Sequence, residues 1–318
     1  MKRLIVLFFL CSTAFGVNDF SSDAACEALW NLESGALTTD SKAPGTNTLT
    51  NSTVTDDLVD FKQGSCSGLW IASESDRMYR ADADLSSGFP LKSGETNRTF
   101  SFTFWLYLNT IDINHYLMNK TGAAGTRTII IYVNTAEQLN LVLSVDGTAW
   151  TYYAHASALS ATTWYHVGIT HDSADEGYVI HIWDDTAQAT LGVDKTGTTV
   201  TPFISTSPFS IGYASVSLTL NGNLDEVVVF NDELTSTVGG EIDQIRAGTY
   251  GASVYPKQII KAPDLFDWLI FANIEDQHYK PQYSEGYEQE DVYKWLKYSS
   301  QHSHNALLST IDYTGSLN

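Results

Sequence analysis

Between Asn221 and Gly251 the spacing of apolar residues changes its period, and that change organises the reading of the whole chain. Leu224 to Phe230 is a dense apolar run, bounded by Asn221-Gly222 before and Asn231-Asp232 after. Such a run predicts a strand buried on both faces. Asp225 and Glu226 interrupt it, and two adjacent carboxylates in a buried strand need partners. After Asp232 the period becomes about 3.6. Leu234, Val238, Ile242 and Ile245 recur at helical spacing, Thr235 or Ser236 can cap the start, and Gly248 can close the end.

Upstream, the pattern is that of strands. Residues 27–33 (EALWNLE) open one, and residues 39–49 are a loop by their Gly, Pro and Asn. Strands are predicted over 64–80, 100–108, 115–120, 128–134 and 139–145, then through Tyr153 after a turn at Asp146-Gly147. Asp-Gly between two alternating runs is a hairpin signal. Residues 163–171 and 178–183 flank the polar turn DSADEG as a second hairpin, and 208–213 lead into the closing strand. Short strands separated by turn signals predict a two-sheet antiparallel all-β sandwich with one short helix after the closing strand. From Ala252 the character changes. Pro256, Pro263 and Pro281 punctuate a stretch with an apolar cluster at 265–274 and a broken helical pattern at 288–311. This C-terminal extension, residues 252–318, is predicted to be of mixed and irregular structure.

The 318 residues include 43% hydrophobic and 12% aromatic side chains, enough for a large core. A formal net charge of −20 argues against nucleic acid, whose phosphates require clustered Lys and Arg. Met1-Lys2-Arg3, the run LIVLFFL and a small-residue ending read as a secretory signal peptide over residues 1–16. That apolar run is too short to span a bilayer, so a secreted or cell-surface location is expected. Cys11 leaves with the signal, and Cys26 and Cys66 remain. In an exported chain such a pair reads as a disulfide, here pinning the N-terminal strand to the next one along.

The pattern Gly-x-Leu-Asp-Glu-Val-x-Val-Phe at 222–230, followed by Leu234-Thr235 and Glu241-Ile242-x-x-Ile245, resembles the closing signature of laminin-G-like jelly rolls. These are the concanavalin-A-like lectin and glucanase sandwiches. Gly239-Gly240 lengthen the strand-to-helix loop relative to that family. Trp30, Leu32, Glu33, Ser34 and Gly35 resemble its opening, and Trp164, His166 and Val167 a strand it commonly carries. The resemblance covers residues 27–251, within a jelly-roll domain assigned to 17–251. Residues 39–49 resemble a family segment that in many members supplies calcium ligands beside the Asp of the closing strand. The resemblance therefore implies a structural calcium ion held by Glu33, Asp40, Asn47 and Asp225. Asx turns at Asp40 and Asn47 are the alternative.

Catalytic patterns are missing. A glucanase strand carries acids on alternating positions. Here Glu241-Ile242-Asp243 falls in a predicted helix, and Asp184-Asp185 and Asp56-Asp57 are adjacent pairs whose members face opposite ways. No Glu-flanked His pair, nucleophile elbow or phosphate loop occurs. The expectation is a non-enzymatic protein that binds a polysaccharide or glycoconjugate. Sandwich lectins use aromatic faces with polar neighbours, and the candidates are Trp150, Tyr152, Tyr153, Trp183, Asp184 and Asp185. One of Tyr152 and Tyr153 must face inward, because consecutive strand residues alternate. The alternative is a structural or adhesive protein of a surface, filament or virion, with residues 252–318 contacting a protein partner. Asn51, Asn97 and Asn119 open glycosylation sequons.

Overall fold

A computed structural model describes residues 18–43, 45–215 and 218–251. The signal peptide predicted at 1–16 and the extension at 252–318 lie outside the described residues. Along the chain the strands are β1 (Cys26–Trp30), β2 (Thr50–Ser52), β3 (Thr55–Asp57), β4 (Ser67–Trp70), β5 (Arg77–Arg80), β6 (Phe100–Leu108), β7 (His115–Lys120), β8 (Ile129–Val133) and β9 (Gln138–Leu143). There follow β10 (Thr151–Ala158), β11 (Trp164–His171), β12 (Gly177–Asp184), β13 (Ala189–Thr190), β14 (Lys195–Thr198), β15 (Phe209–Ile211), β16 (Tyr213–Ser215), β17 (Leu218–Thr219) and β18 (Gly222–Phe230), then one helix, α1 (Glu241–Arg246).

Two large antiparallel sheets result. The nine-stranded sheet runs β13-β12-β11-β6-β18-β4-β3, with β1 also on β18 and β14 also on β12. The seven-stranded sheet runs β10-β9-β8-β7-β15-β5-β2. Trp30, Trp70, Phe102, Phe104, Phe209, Leu224 and Val227 belong to the core cluster that packs the sandwich. The predicted strand at 64–80 is in fact two, one in each sheet, with a 3-10 turn at Ala72–Glu74 between them. The buried Asp76 carboxylate holds this crossing by accepting the Ile71 N–H at 2.8 Å and the Thr53 hydroxyl.

The closing strand is buried along its whole length. Its pairing with β6 slips between Asp225 and Val228, where Glu226 sits at φ 45°. This bulge inserts one extra residue between the inward Leu224 and Val227. Both carboxylates are thereby accommodated away from the sandwich interior.

A second, smaller core lies on the outer side of the nine-stranded sheet. Phe20, Leu29, Val228, Phe230, Leu234, Ile242, Ile245 and Tyr250 form it. α1 packs down over Gly168, where a Cβ would stand 2.7 Å from the Ile242 side chain. The helix is shorter than its spacing predicts. Gly239, at φ 75°, and Gly240 break the periodicity, and Val238 is 99% exposed. Thr235 still serves the helix start. Its hydroxyl accepts the Glu241 N–H at 3.0 Å, and its own N–H donates to the Glu241 carboxylate at 2.9 Å. Gly248 ends it at φ 69°, with its N–H on Ile245 O and the Thr249 N–H on Gln244 O.

The expected Cys26–Cys66 disulfide is not formed. Both thiols are free and buried, the Cys66 Sγ lying 3.2 Å from Leu32 O. Cys26 pairs with Phe230 at one end of β18, whereas Gly68, two residues after Cys66, pairs with Leu224 six residues away. At about 3.3 Å per strand residue the cysteines stand about 13 Å apart. A disulfide requires Cα atoms within about 7 Å.

Candidate functional site

Register places side chains in rows across the outer face of the seven-stranded sheet. Tyr152 pairs with Val142, Val142 with Ile130, Ile130 with Asn119, Asn119 with Ser210, and Ser210 with Tyr79. The adjacent outward row is Ala154, Asn140, Tyr132 and Tyr116. The alternate positions Ile129, Ile131, Leu139, Leu141 and Leu143 turn into the core, so these rows follow from the two-residue period.

A groove of about 280 Å³ results, lined by Tyr116, Tyr132, Trp150, Tyr152, Arg127 and Ile130 among others. Tyr116 and Tyr132 stack at 5.3 Å with an interplanar angle of 19°. Tyr152 is 59% exposed. The Arg127 guanidinium sits 5.6 Å from the Trp150 ring and donates to Thr148 O at 2.5 Å. Partial burial, and then the neighbouring phenols, push the Tyr116 and Tyr132 hydroxyls above the ordinary tyrosine range. They stay protonated as hydrogen-bond donors at neutral pH. Ring faces beside hydroxyls and a guanidinium suit a ligand with apolar faces and a polar rim.

The six predicted ligand residues separate. Trp150 and Tyr152 line the groove. Tyr153 turns inward, its ring 4.8 Å from Tyr178 and against the main core. Trp183 belongs to β12 of the other sheet, with Arg246 3.7 Å above its ring. Asp184 accepts the Thr186 and Ala187 N–H groups as a turn, and Asp185 pairs with Lys62 at 2.7 Å. Tyr116 and Tyr132 were missed, although the alternation in TIIIYVN marks Ile130 and Tyr132 as one face.

The four predicted metal ligands fall into two separate groups. The buried Asp40 carboxylate accepts four backbone N–H groups, from Leu29, Lys42, Ala43 and Asn47. Asn47 donates to Glu27 O and Ser86 Oγ and accepts the Ser86 N–H. Asp225 accepts the Lys62 and Gln63 N–H groups, and Glu33 accepts from Ser65. Calcium needs six to eight oxygen ligands around one point. Asp40 and Asn47 spend their oxygens on N–H donors, so these residues do not fit the ion as a set. No group of three or more His, Cys, Asp or Glu suited to a metal occurs among the described residues.

One more constellation lies on the outer side of the nine-stranded sheet. Asp225, Trp105, His166 and Trp183 form a single register row across four strands. Asp225 is fully buried and Glu226 is 8% exposed. Burial pushes Asp225 up to about 7, against the N–H groups of Gln63 and Lys62. It pushes Glu226 up to about 8, with the Asn18 amide opposing and Asp225 adding. His166 is held well below the ordinary imidazole range by burial. Lys62 stands 4.8 Å over Trp105, so with Arg246 over Trp183 the row is roofed by cations.

No curated protein matches the chain in sequence. Among solved structures, domain 4 of AbnA, an extracellular GH43 arabinanase from Geobacillus stearothermophilus, in complex with arabinotriose, is similar at TM-score 0.48 and 14% identity, covering 70% of this chain and 98% of that one. A SAP-like pentraxin from Limulus polyphemus is similar at 0.36 and 17%, covering 50% and 73%. The CBM40 of a Ruminococcus gnavus sialidase, bound to α2,3 sialyllactose, is similar at 0.36 and 16%, covering 48% and 82%. Residues 83–238, from the turn before β6 to the loop before α1, match the family model of the concanavalin A-like lectin/glucanases superfamily, and the chain carries a domain of that family.

Proposed function

We propose that this protein is an exported, non-catalytic carbohydrate-binding protein whose polysaccharide ligand lies in the groove on the outer face of the seven-stranded sheet. The observation that carries the reading is the convergence of Tyr116, Tyr132, Trp150 and Tyr152 on that groove. Stacking on such rings supplies affinity, and the tyrosine hydroxyls, with Thr121 and Arg127 beside them, supply direction. The family match over the same strands supports it. Among the described residues, the adjacent acids with strongly raised pKa values, Asp225 and Glu226, are buried on the other sheet. They cannot flank a glycosidic bond from there, which supports binding without hydrolysis. Export rests on the basic head and apolar run at the N-terminus. Among the described residues no helix is long and apolar enough to cross a membrane.

The test is a polysaccharide panel probed with the full chain, with and without chelator. Saturable binding to one sugar class, unaffected by chelator and lost in Tyr132→Ala, supports the reading. Absence of binding across the panel, or binding indifferent to Tyr132, contradicts it.

A further inference from the structure

Past the groove, beyond the β16–β17 hairpin whose Ala214 and Leu218 line its edge and whose Tyr213 O accepts the Asn119 amide, the same face carries a second arginine on aromatic rings. At β5, the Arg77 guanidinium lies 4.3 Å from the Tyr79 ring and 5.1 Å from the Tyr213 ring. It mirrors Arg127 on Trp150 at the other end of the face. From β10 to β5 there are five strand spacings, about 24 Å at about 4.8 Å each. Three aromatic stations are therefore strung across the strands: Trp150 and Tyr152, then Tyr132 and Tyr116, then Tyr79 and Tyr213.

Charge on this face differs from that of the chain. The chain carries a formal −20, yet the outward positions of β5, β7, β8, β9, β10 and β15 are Arg, Tyr, Asn, Ile, Gln, Val, Ala and Ser, with no acid among them. Asp76, next to Arg77 in the chain, is buried and takes the Ile71 N–H and the Thr53 hydroxyl, and acids in the turns at the rim are turned onto backbone. Asp146 accepts the Thr148 and Ala149 N–H groups, and Glu137 accepts the Asp112 N–H. The ion pairs among the described residues include neither Arg77 nor Arg127. Both guanidinia are held by aromatic rings instead, which keeps their planar forks oriented and their charge uncompensated.

We propose that the occupant of the groove is an anionic polysaccharide, lying across the strands with its carboxylate or sulfate groups paired to Arg127 and Arg77. This rests on the carbohydrate reading above and narrows its ligand class. Each arginine offers a bidentate fork to an oxyanion, and the tyrosine stations between them take the sugar faces. The overall negative charge acts against the approach of a polyanion, but beyond about 8 Å it is screened at physiological ionic strength. Contacts inside the groove decide affinity.

The experiment measures affinity of the full chain for matched pairs that differ only in charge. Oligogalacturonate is compared with its methyl ester, and dextran sulfate with dextran. Wild type, Arg77→Gln, Arg127→Gln, Arg127→Lys and Tyr132→Ala are compared after each is shown to keep the wild-type thermal transition. The acid form should bind at least tenfold tighter than its neutral partner. Each Arg→Gln change should cost about tenfold on the acid form and nothing on the neutral one, with Arg127→Lys between. Preference within the galacturonate pair alone assigns the sites to carboxylates, and within the dextran pair alone to sulfates. Equal binding of charged and neutral forms, still dependent on Tyr132, overturns this inference and leaves the carbohydrate reading standing. Arginine variants that bind the acid form as wild type also overturn it. No polysaccharide binding at all removes both.

Discussion

Replacing Glu226 by Gln should change how the stability of this protein depends on pH, because the native state holds that carboxyl neutral. Glu226 rises from 4.5 to about 8 and Asp225 from 3.8 to about 7. At about 1.4 kcal/mol per pH unit, shifts of this size correspond to about 4–5 kcal/mol for each group. Total stabilities are about 5–15 kcal/mol, so each matters. Between the unfolded and folded values the native state binds the extra proton, and stability then falls as pH rises. The stabilising contribution is fully present below about pH 4 and is lost as pH passes through about 7 for Asp225 and about 8 for Glu226. Buried imidazoles work the other way. His115, His155, His166 and His171 are all depressed by burial. Each adds stability as pH rises toward 6.5, masking the carboxylates in that range. The informative quantity is therefore the difference between variant and wild type. Glutamine can keep the acceptor for the Asn18 amide, 2.7 Å from Glu226 Oε1, and cannot ionise. Urea unfolding at half-unit steps from pH 5 to 9 measures it. Glu226→Gln should gain on wild type by about 1.4 kcal/mol per pH unit until about pH 8, then level off. A difference that stays flat across this range would refute the reasoning.

Three further outcomes follow from the packing. Gly168→Ala should loosen α1 through its clash with Ile242 and cost about 1–3 kcal/mol in denaturant unfolding. Lys120, buried and 2.7 Å from Asp82, should cost about 3–5 kcal/mol on replacement by Met. Adding Asp82→Asn should restore part of that loss, as a double-mutant cycle would report. Peptide mapping under non-reducing conditions should recover Cys26 and Cys66 in unlinked peptides, and a linked peptide would contradict the 13 Å separation derived from about 3.3 Å per residue.

Much of the sandwich was legible because burial on a pleated sheet imposes its period directly. β6 and β7 coincide with the predicted 100–108 and 115–120, where aromatic and apolar residues leave no alternative phase. The helix failed in part because four apolar residues at the right spacing ignore what Gly239-Gly240 do to the backbone. The bulge at Glu226 leaves no mark in the apolar pattern, so the sequence could flag the carboxylate pair but not its placement. Tyr152 and Tyr153 had to split, yet which one faces the core depends on the hairpin register, a tertiary matter. Trp150 and Trp183 both offer an aromatic face beside polar neighbours in the sequence. A local pattern carries no information on which sheet a strand joins, and β10 and β12 joined different ones. The cysteine pair stayed apart, and the four proposed calcium ligands fell into two groups, for the same reason, since both expectations required long-range proximity.

The central claim, that the ligand lies on the seven-stranded sheet, is tested most directly by a pair of aromatic variants on opposite faces. Affinity of Tyr152→Ala and of Trp183→Ala would be measured for the best polysaccharide of the panel, each variant first checked for a wild-type thermal transition. Loss of one stacking ring of the 1–3 kcal/mol class should weaken Tyr152→Ala by about tenfold or more, while Trp183→Ala binds as wild type. The reverse result would place the ligand on the nine-stranded sheet and contradict the account.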